Sequence, residues 1–464
     1  MNIAQIKAVY FIGIGGIGMS AIARYFLARG IRTGGYDRTP STLTRALEDE
    51  GAWIHYEDNI AAVPSDFKEA ATTCIIYTPA IPSEHGELCY FFQEGFEVQK
   101  RAQLLGTLTQ LHRGLCVAGT HGKTSTSAML AHLLHESHVG CNAFLGGITK
   151  NYNTNYLLSP TSDYVVIEAD EFDRSFHHLR PYASVITSAD PDHLDVYGTA
   201  AAYRESFEHY TSLIQPEGAL LVHSDVMLDI HSAPSVRVYR YGRTSGDFYA
   251  ANERIGHGRI IFDLVSPLGQ IDNVELGVPI SINIDNGIAA MALAQLAGAT
   301  ADEIRAAMLS YTGVVRRFDF KIKTPEVVLL SDYAHHPEEI RQSIQSLREV
   351  FTGRKLTGVF QPHLYSRTND FYREFAESLA ALDEVVLLDI YPARELPIEG
   401  VTSKLIYDHL PAHQPKQLIT KDMLTQTVQQ LNIDVLVVLG AGDADNYMPQ
   451  LEADLRTRYL TPPI

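Results

Sequence analysis

The most regular feature of the sequence is a series of short, uninterrupted apolar runs that alternate with stretches of helical spacing. These runs lack the polar alternation of a half-exposed strand, which is typical of strands buried on both faces. Such strands form parallel sheets that are covered by helices. We predict nine of them: Ala8–Ile14, Thr73–Tyr77, Gly114–Ala118, Tyr164–Ile167, Ala183–Thr187, Val327–Leu330, Leu356–Phe360, Glu384–Leu388 and Asp434–Leu439.

The grouping of these runs predicts three α/β domains, covering residues 1–108, 109–313 and 314–464. The stretch 236–279 differs from the rest, because it has alternating apolar residues, several glycines and little helical signal. We interpret it as an antiparallel β excursion within the central domain. Several runs end in Gly, Asp or Thr just before a helical pattern, and ligands of open α/β sheets bind at such carboxyl ends of strands.

Composition narrows the class of protein. The chain has 464 residues, of which 45% are hydrophobic and 20% charged, as expected for a folded protein with several domains. Its 37 basic and 55 acidic residues give a net charge of −18, which disfavours binding to nucleic acid or to an anionic membrane. The four cysteines are irregularly spaced, which favours a reducing cytoplasm as the compartment. The sequence has no apolar run of 18 residues, so we predict no membrane span.

The first motif is a glycine-rich loop that spans residues 13–18, between a predicted strand and a predicted helix. Gly15, Gly16 and Gly18 would let the backbone approach a diphosphate, and the helix N-terminus supplies N–H donors. Asp37 follows 24 residues after Gly13, where it could accept a hydrogen bond from a ribose hydroxyl. Both NAD and a UDP-sugar satisfy this pattern, so the motif predicts a diphosphate ligand without choosing between them.

The second motif is a phosphate loop, two residues shorter than the usual spacing, at another strand–helix junction. It reads Gly119, Thr120, His121, Gly122, Lys123, Thr124 and Ser125. The backbone N–H groups of such a loop surround phosphate oxygens, Lys123 would reach the β and γ phosphates, and the Thr124 hydroxyl can ligate Mg²⁺. We predict that this loop binds ATP.

Acidic residues follow two further strands of the central domain. Glu168 begins the sequence Glu-Ala-Asp-Glu, and His193 closes Asp-Pro-Asp-His. Mg²⁺ prefers oxygen ligands, usually one or two carboxylates together with phosphates and water. Glu168 is therefore the first candidate ligand for Mg²⁺ and His193 the second.

The last domain carries a cluster of basic and aromatic residues at strand ends. Arg317 stands at its start, Asp332 and Tyr333 follow one strand, and His363 and Arg367 follow another. A guanidinium pairs bidentately with phosphate or carboxylate, and Tyr333 could stack on a base. The adjacent histidines at 335 and 336 have no third metal ligand nearby in the sequence, so hydrogen bonding to substrate is favoured over zinc.

With these motifs in this order, the whole chain resembles the Mur ligase family, which adds amino acids to UDP-N-acetylmuramic acid. The resemblance rests on five segments: residues 119–124, 168–171, 192–193, 316–318 and 332–335. It is strongest to the members that join L-alanine to UDP-N-acetylmuramate, because of residues 13–19, 77–80, 335–337 and 361–363. It implies Rossmann-like sheets at both ends, flanking a central phosphate-loop ATPase-type domain of mixed α/β structure.

The resemblance also implies roles for residues, with ATP and Mg²⁺ as cofactors and UDP-N-acetylmuramate and L-alanine as substrates. It places the sugar nucleotide at Gly15, Gly16, Gly18, Asp37 and Thr78. It places ATP at residues 119–125, Asn283, Arg317, Asp332 and Tyr333, and Mg²⁺ at Thr124, Glu168 and His193. The amino acid would contact His336, His363 and Arg367. One departure is Leu364, where many relatives carry a second arginine, so recognition of the amino-acid carboxylate would depend more on Arg367.

The implied reaction is amide formation through an acyl phosphate. Lys123 and Arg317 would neutralise the transferring phosphoryl group, and His336 is a candidate base for the amine. Arg367 completes the expected catalytic set. Three alternatives remain open: a ligase that recycles murein peptides onto the same UDP-sugar, an NAD-dependent oxidoreductase supported by the first glycine motif alone, and a non-catalytic nucleotide-binding regulator. We expect a cytoplasmic monomer or homodimer.

Overall fold

The structure, a computed structural model, describes residues 6–78, 80–192, 194–393 and 395–460, without the side chains of Leu194 and Asp195. His193, a candidate Mg²⁺ ligand, and Pro79 lie outside the described residues. The chain divides into two compact units. The first comprises Met1–Ala251, Leu264–Asp272 and Asp285–Ser310; the second comprises Asn252–Asp263, Asn273–Ile284 and Tyr311–Ile464.

The N-terminal sheet is fully parallel and has the strand order β3-β2-β1-β4-β5. Its strands are β1 (Ala8–Ile12), β2 (Arg32–Tyr36), β3 (Trp53–His55), β4 (Thr73–Tyr77) and β5 (Glu97–Lys100). The helices between them are α1 (Ile17–Leu27), α2 (Thr42–Asp49), α3 (Gly86–Gln93) and α4 (Arg101–Leu111). In this doubly wound arrangement the strand order reverses at β1, with β2 and β3 on one side and β4 and β5 on the other, and a crevice opens at the carboxyl ends of β1 and β4.

The central sheet runs from β8 at one edge through β7, β9, β6, β10, β11 and β12 to β13. These strands are β6 (Arg113–Ala118), β7 (Asn142–Thr149), β8 (Thr154–Leu157), β9 (Tyr164–Ala169), β10 (Ala183–Ile186), β11 (Ala219–His223), β12 (Arg237–Gly242) and β13 (Phe248–Gly256); β14 (Arg259–Val265) and β15 (Ile271–Glu275) follow in sequence. The helices are α5 (Lys123–His135), α6 (Leu194–Tyr197), α7 (Ala200–Thr211), α8 (Ile282–Ala297) and α9 (Ala301–Ser310).

Strand β12 departs from the predicted antiparallel excursion, because it pairs in parallel with β11 and, over two residues, with β13. The N-terminal and central sheets share one hydrophobic core. Helix α1 contributes Tyr25, whose ring lies 5.5 Å from that of Phe144 in β7, and Arg24, which donates to the side chain of Asn155 in β8. This shared core explains why the N-terminal sheet and most of the predicted central domain lie in the first unit, whereas residues 252–263 and 273–284 of that domain belong to the second.

The C-terminal sheet lies in the second unit and has the order β16-β17-β21-β18-β19-β20. Its strands are β16 (Asp319–Lys323), β17 (Val328–Asp332), β18 (Leu356–Phe360), β19 (Glu384–Leu388), β20 (Lys416–Ile419) and β21 (Val435–Leu439), and its helices are α10 (Pro337–Val350), α11 (Tyr365–Leu379), α12 (Lys404–His409), α13 (Leu424–Gln430) and α14 (Met448–Leu460). The pair β16–β17 is antiparallel, and the other pairs are parallel.

All nine predicted strands are present, each within two residues of its predicted ends. The predicted fold class is confirmed: Rossmann-like sheets at both ends of the chain and a phosphate-loop domain of mixed α/β structure between them. Each sheet lies inside one of the three predicted domains, whose exact limits stay a prediction. Within the described part of the chain, no helix is long and apolar enough to cross a bilayer.

Candidate functional site

The phosphate loop leaves the buried strand β6 and ends where α5 begins at Lys123. Its two glycines have positive φ angles, +138° at Gly119 and +80° at Gly122, which side chains other than glycine rarely adopt. A Cβ atom would also lie 2.0 Å from the Thr187 hydroxyl at Gly119 and 2.6 Å from the Asn286 side chain at Gly122. The loop therefore needs glycine at both positions for space and for backbone conformation.

The loop is held in place by residues that follow β10. Ser188 accepts a hydrogen bond from the backbone N–H of His121 at 2.8 Å, and Thr187 donates to the His121 carbonyl at 2.5 Å. The Thr120 hydroxyl donates to the backbone carbonyl of Asp190 at 2.8 Å. These contacts within the protein hold the loop in place, which lowers the ordering cost of binding phosphate.

Lys123 points back toward its own loop and meets a buried carboxylate. Its Nζ donates to the carbonyls of Gly119 and Thr120 at 2.6 and 3.2 Å, and lies 2.8 Å from Oε2 of Glu171. Glu171 is only 2% exposed; burial raises the pKa of its carboxyl, and the neighbouring Lys123 opposes that shift. The ammonium that would contact phosphate is thus already paired with an acid to which the sequence analysis gave no role.

The hydroxyl of Thr124 and the carboxylate of Glu168, the two described candidates for binding Mg²⁺, lie together. Thr124 Oγ1 donates to Glu168 Oε1 at 2.9 Å, and the other carboxylate oxygen accepts from the backbone N–H of Gly146 at 3.0 Å. A Cβ at Gly146 would lie 2.3 Å from Glu168, so this glycine makes room for the acid. A hydroxyl beside a carboxylate is an oxygen donor pair that suits Mg²⁺.

Among the described residues, no group of three His, Cys, Asp or Glu side chains is arranged to hold a metal ion by itself. Mg²⁺ usually takes one or two carboxylates and completes its shell with phosphates and water. Thr124 and Glu168 fit such a site.

The glycine-rich loop of the N-terminal sheet collects the predicted sugar-nucleotide residues at one crevice. Gly16 precedes α1, and the backbone N–H of Gly15 donates to Asp37 at 2.7 Å. A Cβ at Gly13 would lie 2.9 Å from the methyl group of Thr78, which follows β4. At Gly18 it would lie 2.2 Å from the guanidinium of Arg101, a residue that the sequence analysis missed.

A cavity of about 460 Å³ lies beside this loop. Ile81, which lies near Gly13, lines it together with aromatic and apolar side chains such as Tyr77 and Phe172. Lys100 and Asp173 also line it and form an ion pair at 2.9 Å. The space is of the size that small-molecule sites have and is partly apolar with a few charged groups.

In the second unit, three of the predicted nucleotide residues lie close together at the end of β17. Arg317 places its guanidinium 5.0 Å from the centre of the Tyr333 ring, and Arg316 lies 4.9 Å from the same ring. Asp332 is buried, accepts from Ser343 and has its pKa raised to about 6, mainly by burial. Asn283, also in this unit, is buried and donates to the Val278 carbonyl at 3.1 Å.

The predicted amino-acid residues follow β17 and β18. His363 stacks on Tyr391 at 5.8 Å; its buried Nδ1 has no hydrogen-bond partner among the described residues, and burial lowers its pKa to about 4. One terminal guanidinium nitrogen of Arg367 is likewise buried without a described partner. His335, for which hydrogen bonding to substrate was favoured over zinc binding, lies between Tyr333 and His363, at ring distances of 5.2 and 6.0 Å.

His336 has a structural role in addition to the predicted chemical one. It caps α10, where its Nδ1 accepts from the backbone N–H of Glu338 at 3.4 Å, and its ring lies 5.2 Å from that of Phe371. Its role as a base stays a prediction. Leu364, the departure noted in the sequence, precedes α11 with a φ angle of +72°, a conformation that is rare for a leucine.

Three α/β segments, of which the central one carries a Gly-Lys-Thr phosphate loop beside a hydroxyl–carboxylate pair, define a nucleotide-dependent enzyme of several domains. Comparison with known families gives the class. Residues 117–294 match the Mur ligase middle domain, residues 8–113 match the domain described as Mur ligase family, catalytic domain, and residues 316–442 match the domain described as Mur ligase, glutamate ligase domain. The chain belongs to the Mur ligase family.

Relatives that match along the full length of the chain share a more specific name within this family. The chain is 61% identical over 451 residues, 97% of its length and 98% of the relative's, to the UDP-N-acetylmuramate–L-alanine ligase of Phocaeicola vulgatus. It is 57% identical to the protein of the same name from Parabacteroides distasonis, with 96% of each chain covered. The expected resemblance to the Mur ligases is confirmed.

Solved structures agree with this relationship. The structure of the UDP-N-acetylmuramate–alanine ligase of Thermotoga maritima matches with a TM-score of 0.80 and 26% identity, over 97% of this chain and 99% of that one. A murein peptide ligase from Psychrobacter arcticus matches with a TM-score of 0.63 at 20% identity, over 97% and 98% of the two chains, which supports the fold alone.

Proposed function

We propose that this protein is an ATP-dependent ligase that joins L-alanine to the lactyl carboxylate of UDP-N-acetylmuramate, a step in the synthesis of peptidoglycan precursors. The observation that carries the proposal is the phosphate loop of residues 119–125, which contacts within the protein hold in place. Relatives that match along the full length of the chain, at up to 61% identity, are named for this reaction. We place the reaction in the cytoplasm, in keeping with four free cysteines.

The chemistry requires activation of a poor electrophile. A carboxylate oxygen of the sugar attacks the γ-phosphorus of ATP and ADP leaves, which gives an acyl phosphate. The amine nitrogen of alanine then attacks the acyl carbon; phosphate leaves with the C–O electron pair, and the amine loses a proton. Most of the catalytic work in such transfers is positioning and neutralisation of charge.

The residues of the first unit suit the phosphoryl-transfer step. Lys123 would contact the β and γ phosphates once it exchanges Glu171 for the nucleotide, and the backbone N–H groups of the loop would bind the remaining oxygens. Thr124 and Glu168 would hold Mg²⁺, which when bound neutralises charge on the phosphates; the contribution of His193 stays a prediction.

The residues of the second unit suit the nucleotide and the amino acid. Arg317 and Tyr333 offer a cation and an aromatic face, and Arg367 offers a guanidinium with unused donors for the alanine carboxylate. His363 is held neutral at pH 7 by its lowered pKa, so it can accept a hydrogen bond from the substrate ammonium or amine. These assignments are proposals, like the choice of His336 as base.

The test is release of ADP from ATP and Mg²⁺ in the presence of UDP-N-acetylmuramate and each amino acid in turn. We expect L-alanine to give the fastest release and to yield an amide product visible by mass spectrometry. A murein tripeptide is supplied in a parallel assay, and faster release with it than with L-alanine would favour the recycling ligase. The family relationships do not favour the oxidoreductase alternative. Only binding of a nicotinamide cofactor would support it.

A further inference from the structure

We propose that Arg101 binds the diphosphate of the sugar nucleotide and that Asp170 is the counter-ion which it gives up when that ligand arrives. The proposal rests on the proposed function, since it assigns the diphosphate of a UDP-sugar to the crevice of the N-terminal sheet. It adds one cation to a site that the sequence predicts from glycines, an acid and a threonine.

Topology brings Arg101 to the mouth of this crevice. Strands β1, β4 and β5 are neighbours in the sheet and run parallel. The glycine-rich loop follows β1, Thr78 follows β4, and Arg101 follows β5 as the first residue of α4. Ligands of doubly wound sheets lie outside such adjacent carboxyl ends, at the point where the strand order reverses, which here is beside β1.

The guanidinium lies directly on the loop. A Cβ at Gly18 would be 2.2 Å from Nη1 and 3.0 Å from Cζ of Arg101, so the side chain occupies the space that any other residue at this position would fill. Gly18 has an ordinary backbone conformation, because it lies within α1 and its φ is not positive. The glycine is therefore explained by close approach of the arginine and not by backbone strain.

The donors of Arg101 are largely unused. Its one ion pair joins Nη2 to Asp170 Oδ2 at 3.8 Å, and the guanidinium makes no hydrogen bond to any described residue. The preceding Lys100 differs, because its ammonium donates to Asp173 at 2.9 Å. An arginine has five N–H donors in a planar fork that matches a phosphate group. Arg101 lies beside a loop of N–H donors and makes only a long ion pair with the described residues, so its own donors are free to bind a diphosphate.

Asp170 suits the part of a displaceable counter-ion. Its Oδ1 accepts from the backbone N–H of Phe172 at 3.1 Å, which fixes the carboxylate without help from Arg101. Its side chain is 41% exposed, so water can solvate it when the pair separates. A diphosphate carries more charge than a carboxylate and offers more acceptor oxygens, so it wins the competition for the guanidinium.

The experiment measures binding of UDP and of uridine to the full chain by calorimetry, for the wild type, Arg101→Ala, Arg101→Lys and Arg29→Ala. Arg29 is the matched control: it lies beyond the other end of α1, over the ring of Tyr25, and its loss changes the net charge equally. We expect Arg101→Ala to raise the Kd of UDP about 10-fold or more and to leave the Kd of uridine within 2-fold, because the lost contacts are charge-assisted hydrogen bonds to the diphosphate.

The other variants sharpen the test. Arg101→Lys should recover part of the affinity, since it keeps the charge and loses the fork, and Arg29→Ala should bind UDP as the wild type does. Asp170→Asn should bind UDP at least as tightly as the wild type, because the competing charge is gone. A 10-fold weaker binding of UDP by Asp170→Asn would overturn the counter-ion assignment.

Two outcomes separate this inference from the proposed function. If the wild type does not bind UDP at all, the proposed function fails. If the wild type binds UDP and Arg101→Ala binds it equally well, or loses UDP and uridine to the same extent, only the role of Arg101 is overturned.

Discussion

At the scale of single residues, the decisive feature is that the reactive side chains are already engaged before a ligand binds. Lys123 is paired with Glu171, Thr124 donates to Glu168, and Asp37 accepts from the loop N–H of Gly15. In the proposed function, each of these contacts is exchanged for a contact to substrate. Substrate binding would then be a competition between ligands and internal partners.

Replacement of Lys123 by alanine tests the phosphate-loop role. We expect kcat to fall by roughly 100-fold or more, about 3 kcal/mol of transition-state stabilisation, by analogy with loss of one preorganised donor. Steady-state release of ADP measures it. Lys404→Ala is the control, because Lys404 pairs with Asp408 on the surface. Near-normal turnover of Lys123→Ala would remove the loop from the mechanism.

Replacement of Glu171 by glutamine tests whether Glu171 competes with the nucleotide phosphates for Lys123. The neutral amide no longer holds the Lys123 ammonium by charge, so we expect ADP to bind several-fold more tightly than to the wild type. Titration calorimetry with ADP at low ionic strength measures the change. Weaker binding would instead assign Glu171 the task of orienting Lys123 toward the phosphates.

The acid at position 332 predicts a pH dependence of stability. The pKa of Asp332 is about 6 in the folded protein and near 3.9 in an unfolded chain, so the folded state holds the proton more tightly. This contribution is present below pH 4 and is lost as the pH rises through 6, by up to about 3 kcal/mol. The melting temperature of Asp332→Asn, relative to wild type, should therefore increase between pH 4.5 and pH 7.5; a constant difference would contradict the assignment.

At the scale of elements, the parallel strands were predictable because continuous apolar runs are specific for strands buried on both faces. Strand β2 shows the limit of that signal. Its sequence, Arg-Thr-Gly-Gly-Tyr, has no Val, Ile or Leu, yet four of its five residues are buried. Gly34 and Gly35 allow it to pass close to Phe67 and to the backbone of Phe11, which is a tertiary requirement that no local pattern contains.

The candidate site likewise has residues that the sequence predicts and residues that it does not. The placement of the glycines, Lys123, Thr124 and Glu168 was predictable because these residues stand in short motifs at strand ends; their roles stay predictions. Glu171, Arg101 and Asn286 were assigned no partner, since each meets the site from a distant part of the chain: Asn286 accepts from Thr126 of α5, 160 residues away. The spacing of such partners follows from strand order, which the sequence leaves open.

The junction between β6 and α5 gives a prediction about the loop as a whole. Gly122→Ala would force an alanine into a left-handed conformation and against Asn286, so we expect a loss of about 1–2 kcal/mol of stability together with weaker binding of ATP. Thermal unfolding and ATP titration measure both effects. Adding Asn286→Ala should relieve the contact and recover part of the loss; no recovery would leave backbone strain as the whole cause.

At the scale of the molecule, the first unit holds the predicted sugar-nucleotide loop and the phosphate loop on one continuous core, whereas the second unit holds the predicted amino-acid residues. Ligands that bind the folded state stabilise it by mass action, by about 2.7 kcal/mol at a concentration of 100 Kd. We expect UDP-N-acetylmuramate and ATP with Mg²⁺ each to raise the melting temperature, and uncharged uridine to do so less. A chain indifferent to both nucleotides would contradict the proposed function.

The pairing of Lys123 with a buried acid has a consequence for selectivity in the cell. Orthophosphate is a small anion that meets every exposed cationic loop, and an ammonium whose charge is already cancelled offers it little attraction. A nucleotide brings three linked phosphates and a base, whose many simultaneous contacts can repay the separation of the Lys123–Glu171 pair. We therefore expect the Glu171 carboxylate to disfavour binding of orthophosphate at this loop more than binding of a nucleotide.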